Sequence, residues 1–429
     1  MSESIWEREE FKPYAGAWAA RQQALARREA YYDGSVYSGA LNGLRWLRPR
    51  ASAEIRPLYL PLARAVNVDA GIIPGEWTLD GRIKNREQME AARDLVLNRS
   101  GWAEDGVLYV HYGSLYGLTG LRVSDLRDAR KVMLSPVNPR SFMLLGGGMY
   151  DRTPLMAIIC EQRTVVAGGE QVQGRDRATF EYSEVITPDR VRTFADGQPQ
   201  GFDGRPAEYP NLLGLVPFVE VKHINTGAAV GDCAFEKVIP LLDQVNRLAS
   251  ELADVIHRYK DPQYIVNGGE ATELVRGGEN VWFLPEGAKV QILVADVDIP
   301  GVLEFIRESR SQVEAGLVQL AFDQVMGRRQ AIAAETVKLQ LMELVLYVRR
   351  TRPNYDVGLA KALRMAGRAA KSMLGPGFAG ESRNVPPRAD ARTPSDDLGL
   401  VALLDSDDLA FDNERPVLPM AALGAGLGE

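Results

Sequence analysis

The sequence predicts an α+β protein with a β-rich middle set between long helices, and three observations carry the prediction. From about residue 118 to Val221, short alternating runs such as GLRVSDL, KVMLSPV, LMAIICEQRTVV and ATFEYSEVITP are broken by Gly, Pro and Asp, the signature of antiparallel strands and hairpins. Phe235–Tyr259 instead places apolar residues at 238, 241, 242, 245, 248, 249, 252, 255 and 256, one face of a helix. A composition 45% hydrophobic and 25% charged supports a sizeable core, enough for two to four domains.

In chain order, the first 45 residues read as helical, with Trp18, Leu25 and Tyr32 near heptad spacing and a break at Asp33-Gly34. Further helices are expected from about Asn85 to Leu97 and from Glu104 into LYVHYGSLYG. The triple glycine at 146–148 precedes no helix with a lysine and reads as a hairpin turn. The helix over 235–259 would span roughly 35 Å, with Pro240 early enough to be tolerated in its first turn. Some 40 residues of strand and turn character follow, punctuated by glycines at 268, 269, 277, 278 and 287. A second long helix runs from about Pro300 to Leu320, with Asp296 and Asp298 as the turn and cap before it. Helix, small β insertion and returning helix together describe a stalk. FDQVMGRRQAI (322–332) interrupts the pattern before a helix from Ala333 to Arg350, which Pro353 is expected to end; another is expected from Tyr355 to Leu374.

Charge is segregated. The chain carries 57 acidic and 50 basic side chains, and the acidic excess lies in residues 390–429, with nine Asp/Glu against two Lys/Arg. Residues 328–371 hold ten Lys/Arg against three Asp/Glu. The tail is rich in Pro, Gly and Asp, with short apolar patches VALL and VLPMAAL, and reads as partly flexible.

Several classes find little support. The N-terminus lacks the apolar core of a signal peptide and no window approaches 18 uninterrupted apolar residues, so neither secretion nor a membrane partner is expected. Asn98-Arg99-Ser100 is then a chance sequon. Cys160 and Cys233 have no CxxC partner and read as buried thiols. His111, His223 and His257 show no metal-ligand spacing and read as structural. There is no GxxxxGK[ST] phosphate loop, GSVYSG is no nucleophile elbow, and the pairs Asp396/Asp397 and Asp407/Asp408 lie in the tail. The expectation is a chain that is not an enzyme and has no cofactor or metal. Two alternatives stay open: a DNA-processing enzyme such as a nuclease, which would explain the basic block, and an inert structural protein without such a stalk.

One run resembles a known family. NLLGLVPFVEVKHINTGAAVGDCAFEKVIPLLDQVNRLASELADVIHRYKDPQYIVNG (211–268) is similar to the portal proteins of tailed bacteriophages, the SPP1-like portal family, through Leu213, Gly214, Val216 to Val219, Asn225, Asp232, Phe235, Glu236, Leu242, Asp243, Asn246 and Ser250. YGSLYGLTGLRV (112–123) and MLSPVNPRSF are similar to its entry into the β-rich domain. In MGRRQAIAAETVKLQ, Ala333, Ala334, Glu335 and Thr336 stand where that family has Ser and Gly. The resemblance covers roughly residues 15 to 370.

The resemblance implies the portal fold: a β-rich wing over 1–234, a first stem helix (235–260), a small α/β clip (261–298), a second stem helix (299–320), a tunnel loop (321–333), a tunnel or wing helix (334–352), a helical crown (353–375) and, outside the family, the tail 376–429. It also implies a homo-oligomeric ring of twelve at the capsid vertex of the virion, assembled in the host cytoplasm, through which genomic DNA is packaged and ejected. Gln324, Arg328, Arg329 and Gln330 would then face double-stranded DNA, contacting phosphates without sequence specificity. Tyr264, Glu273, Arg276, Trp282 and Phe283 would anchor the terminase large subunit and the head-to-tail adaptor. Major capsid and scaffolding proteins complete the implied partners. The same arginines fit ordinary ion pairs, and the same aromatics fit the small module's own core.

Overall fold

Helix α1 (Lys12–Tyr32) takes Pro13 in its first turn, where a missing N–H leaves nothing unsatisfied, and stops at Asp33; Gly34 follows in the left-handed region at φ +77°. The expected break at Asp33-Gly34 is therefore where the helix ends. The computed structural model describes residues 4–37, 59–75, 86–126, 131–146, 153–164, 179–202, 204–260, 263–267, 289–293, 298–320 and 334–373. The chain forms two units: Met1–Asp33 with Leu62–Glu236 and Val318–Glu429, and Gly34–Pro61 with Lys237–Leu317.

In the first unit, α1 is followed by α2 (Leu62–Ile72), which the sequence pattern does not announce, and by α3 (Arg86–Ser100) and α4 (Trp102–Tyr116), close to their expected places. Gly117, at φ +78°, caps α4 by donating its N–H to the Gly113 carbonyl at 2.8 Å, and a Cβ there would stand 2.1 Å from the Gly231 carbonyl oxygen. Strand β1 (Leu118–Leu126) is the centre of a three-stranded antiparallel sheet, between β2 (Lys131–Val137) and β9 (Phe218–Lys222). The second sheet runs in the order β3 (Phe142–Leu145), β4 (Met156–Thr164), β5 (Thr179–Ile186), β6 (Arg190–Ala195) and β7 (Gln198–Pro199), with β8 (Glu208–Pro210) also paired to β6. The β3–β4 pairing makes Gly146 part of a hairpin, as expected.

The main core lies where α3, α4 and the last helix cover the three-stranded sheet, through Tyr109, Leu121, Leu134, Val221, Tyr355, Leu359 and Leu363. A second cluster seats Ile5 and Phe11 from the N-terminal segment on Ile158, Val185 and Phe194 of the larger sheet. Between the sheets, Arg122 of β1 makes a two-pronged ion pair at 2.8 Å with Glu184 of β5, the carboxylate buried and the guanidinium partly exposed.

The last helix corrects an expectation. Helix α7 (Ala334–Met373) runs through Pro353, where two helices were expected. An interior proline loses a backbone hydrogen bond and clashes one turn back, at a cost of about 3 kcal/mol. Against this, Leu344, Val348, Tyr355, Leu359 and Leu363 are all buried on one continuous side of the helix, and burying a large apolar side chain contributes about 1.5–3 kcal/mol each. Packing wins over local propensity.

In the second unit, α5 (Ile239–Lys260) begins after a 3-10 turn, with Pro240 in its first turn; β10 (Gln263–Asn267) pairs antiparallel with β11 (Lys289–Leu293); and α6 (Ile299–Gly316) returns along α5. Asp298 caps α6 as expected, its carboxylate accepting from the Gly301 N–H at 3.0 Å. The α5 face read from the sequence is the one that packs: Leu242, Val245 and Leu252 are buried, while Ile256 near its end is exposed.

Candidate functional site

Most of the residues singled out for function lie outside the described residues: Gln324, Arg328, Arg329 and Gln330, and likewise Glu273, Arg276, Trp282 and Phe283. Of Tyr264 the backbone is described, in β10 opposite Ile292. What the structure details is the ground on both sides of 321–333.

On the N-terminal side a 3-10 turn, Val318–Leu320, places Gln319 in the interior of the first unit; on the C-terminal side α7 brings Tyr347 to the same point. Both converge on one oxygen of Asp69, from α2. Asp69 Oδ2 accepts from Ser114 Oγ at 2.7 Å, Tyr347 Oη at 2.9 Å and Gln319 Nε2 at 3.2 Å. His223, just past β9, stands with Nε2 3.6 Å from the same oxygen and 2.7 Å from Tyr347 Oη, while its Nδ1 is 2.7 Å from Tyr355 Oη.

The proton positions follow from chemistry. Because the Tyr347 hydroxyl donates to Asp69, its oxygen must accept from His223 Nε2–H, so Nδ1 is the acceptor for the Tyr355 hydroxyl. The chain runs Tyr355 to His223 to Tyr347 to Asp69 with a neutral imidazole. Burial pushes His223 down to about 3, consistent with that state. Burial pushes Asp69 up to about 7 against the opposing pull of its three donors. Asn354 adds a bond from its side-chain nitrogen to the His223 carbonyl at 3.0 Å. His223 thus grips α7 at 347, 354 and 355, on both sides of Pro353.

An imidazole, a carboxyl and two phenols in file resemble acid–base machinery, but Asp69 is 1% exposed and His223 is fully buried, so no substrate reaches them. Among the described residues no group of three or more His, Cys, Asp and Glu is placed to hold a metal ion. The arrangement is a fastening. Asp69 was invisible in the sequence except as the one carboxylate in the mostly apolar run LARAVNVDAGI.

The residues that carry the family resemblance also turn out to be fasteners. Asn246 closes a two-way contact with the Tyr59 backbone, accepting from its N–H at 2.8 Å and donating to its carbonyl at 3.2 Å. Asp243 accepts from the Tyr37 hydroxyl at 2.9 Å, and Ser250 donates to the Asn246 carbonyl at 2.7 Å. Glu236 pairs at 2.7 Å with Arg28, whose buried guanidinium also donates to the carbonyls of Tyr116 and Gly231. Arg28, on a mostly exposed helix, gave no sequence signal of that role.

Against known families, the chain matches the model of phage portal proteins described as SPP1 Gp6-like over residues 115–372. The chain belongs to that family of phage portal proteins. The matched span runs from the end of α4 through both sheets, the α5–hairpin–α6 unit and nearly all of α7, so it takes in the Asp243, Asn246 and Ser250 fastenings. A portal protein is a structural component of a phage particle, and that is the role of this chain. Among solved structures, a chain from the virion of a native gene transfer agent particle matches at 13% identity over 71% of this chain and 77% of that one, TM-score 0.42. A chain from the neck of an empty gene transfer agent particle matches at 13% identity over 75% and 83%, TM-score 0.43. No curated protein matches.

Proposed function

We propose that this portal protein assembles as a ring of about twelve copies at the capsid vertex, forming the channel for genome packaging and ejection without catalysing a reaction itself. The observation that carries the reading is the family match across 115–372, a span that includes the helix, β-hairpin and returning helix of the second unit. In this reading α5 and α6 are the stem, the segment between them the clip, residues 1–234 the wing, 321–333 the tunnel loop, α7 the tunnel helix and crown in one piece, and 376–429 a tail of separate role. Exposed Leu303 and Phe305 on α6 and Ile256 on α5 are apolar positions that a neighbouring subunit would cover in such a ring.

Arg328 and Arg329, with Gln324 and Gln330, would be repeated around the ring as a belt facing the duplex backbone, where diffuse phosphate contact permits sliding and base readout would hinder it. Tyr264, Glu273, Arg276, Trp282 and Phe283 would meet the terminase large subunit during packaging and the head-to-tail adaptor afterwards. The assignment draws support from Gln319, two residues before 321, which is tied to the same buried carboxyl as Tyr347 of α7.

Electron microscopy of the purified protein, classified without imposed symmetry, tests the reading. Rings of about twelve to thirteen subunits with an opening of about 20 Å or more are expected. A protein that stays monomeric or dimeric both alone and when co-expressed with its capsid proteins would overturn it.

A further inference from the structure

From Arg349 onward, α7 presents an uncompensated cationic face. Arg349, Arg350, Lys361, Arg368 and Lys371 are exposed, and among the described residues none of them pairs with a carboxylate. The sole acidic side chain between Arg349 and Lys371 is Asp356, which is buried beside Arg352 at 3.7 Å. At 3.6 residues per turn, Arg350, Lys361, Arg368 and Lys371 fall within about 80° of one another around the helix axis. Like charges three and four residues apart weaken a helix, so the face gains from a polyanion laid along it.

We propose that the occupant is the acidic segment 390–429 of the same subunit. The charges match in sign and in amount: nine acidic against two basic side chains in that segment, following a helix whose exposed face carries none but basic ones from Arg349 onward. The reach matches too. Arg349 to Lys371 extends about 33 Å along the helix. The sixteen residues from 374 to 389 reach about 55 Å when extended, so the acidic run can double back over the full length of the face. The order of chemical types also corresponds. Asp396-Asp397, an apolar run LGLVALL and then Asp405, Asp407 and Asp408 repeat the order cationic Arg350, exposed apolar Val357 and cationic Lys361 with charges reversed. Held there, the segment shields the face from other polyanions, nucleic acid included, in a manner that salt weakens. This inference is independent of the ring assignment.

Carbodiimide cross-linking of the full chain, read by mass spectrometry on protein assembled from an equal mixture of 14N and 15N chains, tests it. Glu9 and Lys12, 3.3 Å apart, provide the control link. Links from Lys361 or Lys371 to carboxyls of 390–414 within singly labelled chains are expected at low salt, with their loss at about 1 M salt. Their absence while Glu9–Lys12 links form, or their occurrence solely between differently labelled chains, would overturn the proposal. Changing Asp396, Asp397, Asp405, Asp407 and Asp408 to Asn should abolish the links and raise the affinity for a short DNA duplex several-fold at low salt; unchanged affinity overturns the shielding.

Discussion

The hydroxyl of Tyr355 occupies the space that a side chain at Gly113 would need: a Cβ there would stand 2.0 Å from Tyr355 Oη and 2.8 Å from the ring carbon that bears it. Helix α4 and helix α7 approach this closely because the tyrosine must reach His223 Nδ1 at 2.7 Å. Gly113→Ala should therefore destabilise the chain by about 1–3 kcal/mol through overpacking. Tyr355→Phe should cost about 1–3 kcal/mol by leaving the imidazole nitrogen unsatisfied. The double variant should lose less than the sum, because Phe removes the atom that clashes first. Additive losses in denaturant titrations would mean that the two residues do not meet.

Asp69 and His223 have opposite linkage to pH. Burial raises Asp69 from 3.8 to about 7, so the folded chain holds an extra proton between those values and this contribution to stability falls as pH rises. Burial lowers His223 from 6.5 to about 3, so the folded chain holds one proton fewer and this contribution grows as pH rises. From about pH 4 to 6.5 the two slopes cancel. Asp69→Asn removes the falling one, so the variant should gain stability with pH relative to the parent, by up to about 1.4 kcal/mol per pH unit. Unfolding midpoints of both proteins at pH 4.5 and 6.5 measure this, and parallel pH dependence would refute it.

The Arg122–Glu184 pair joins the two sheets, and Glu184 is 3% exposed. Glu184→Ala leaves a partly exposed guanidinium without its carboxylate and should cost about 1–3 kcal/mol. Replacing both residues together, Arg122→Met with Glu184→Leu, should recover most of the loss, since a buried pair contributes little over a well-packed apolar substitute. Equal losses for the single and double variants would show that the charges, not their pairing, hold the sheets.

On the proposed tunnel role, Arg328→Ala with Arg329→Ala should leave ring assembly intact while impairing DNA packaging or retention, because the change would remove phosphate contacts and no described packing. Packaging at the parental level would remove those arginines from the tunnel role.

Local chemistry made much of the fold legible. The Asp33-Gly34 break, the Asp298 cap, the α5 stripe and the hairpin at Gly146 depend on residues within a turn or two of one another, and each stands where its pattern indicates. Pro353 misled because its penalty is local while the burial of Tyr355, Leu359 and Leu363 against the sheet is not. Helix α2 escaped because its decisive residue is a charge in an apolar run, which announces a partner without naming one.

By itself the sequence determined the alternation of strands, the two long amphipathic helices with an insertion between them, the family, and the separation of a basic block from an acidic tail. Those are properties of spacing and composition, carried by neighbours along the chain. Only the tertiary structure decided that Asp69, Ser114, His223, Gln319 and Tyr347 meet at one oxygen, that Arg352 is buried beside Asp356 while Arg349 and Arg350 face water, and that α7 crosses its proline unbroken. Each depends on residues tens to hundreds of positions apart being brought within hydrogen-bond or packing distance, where desolvation and shared contacts outweigh the preference of any single segment.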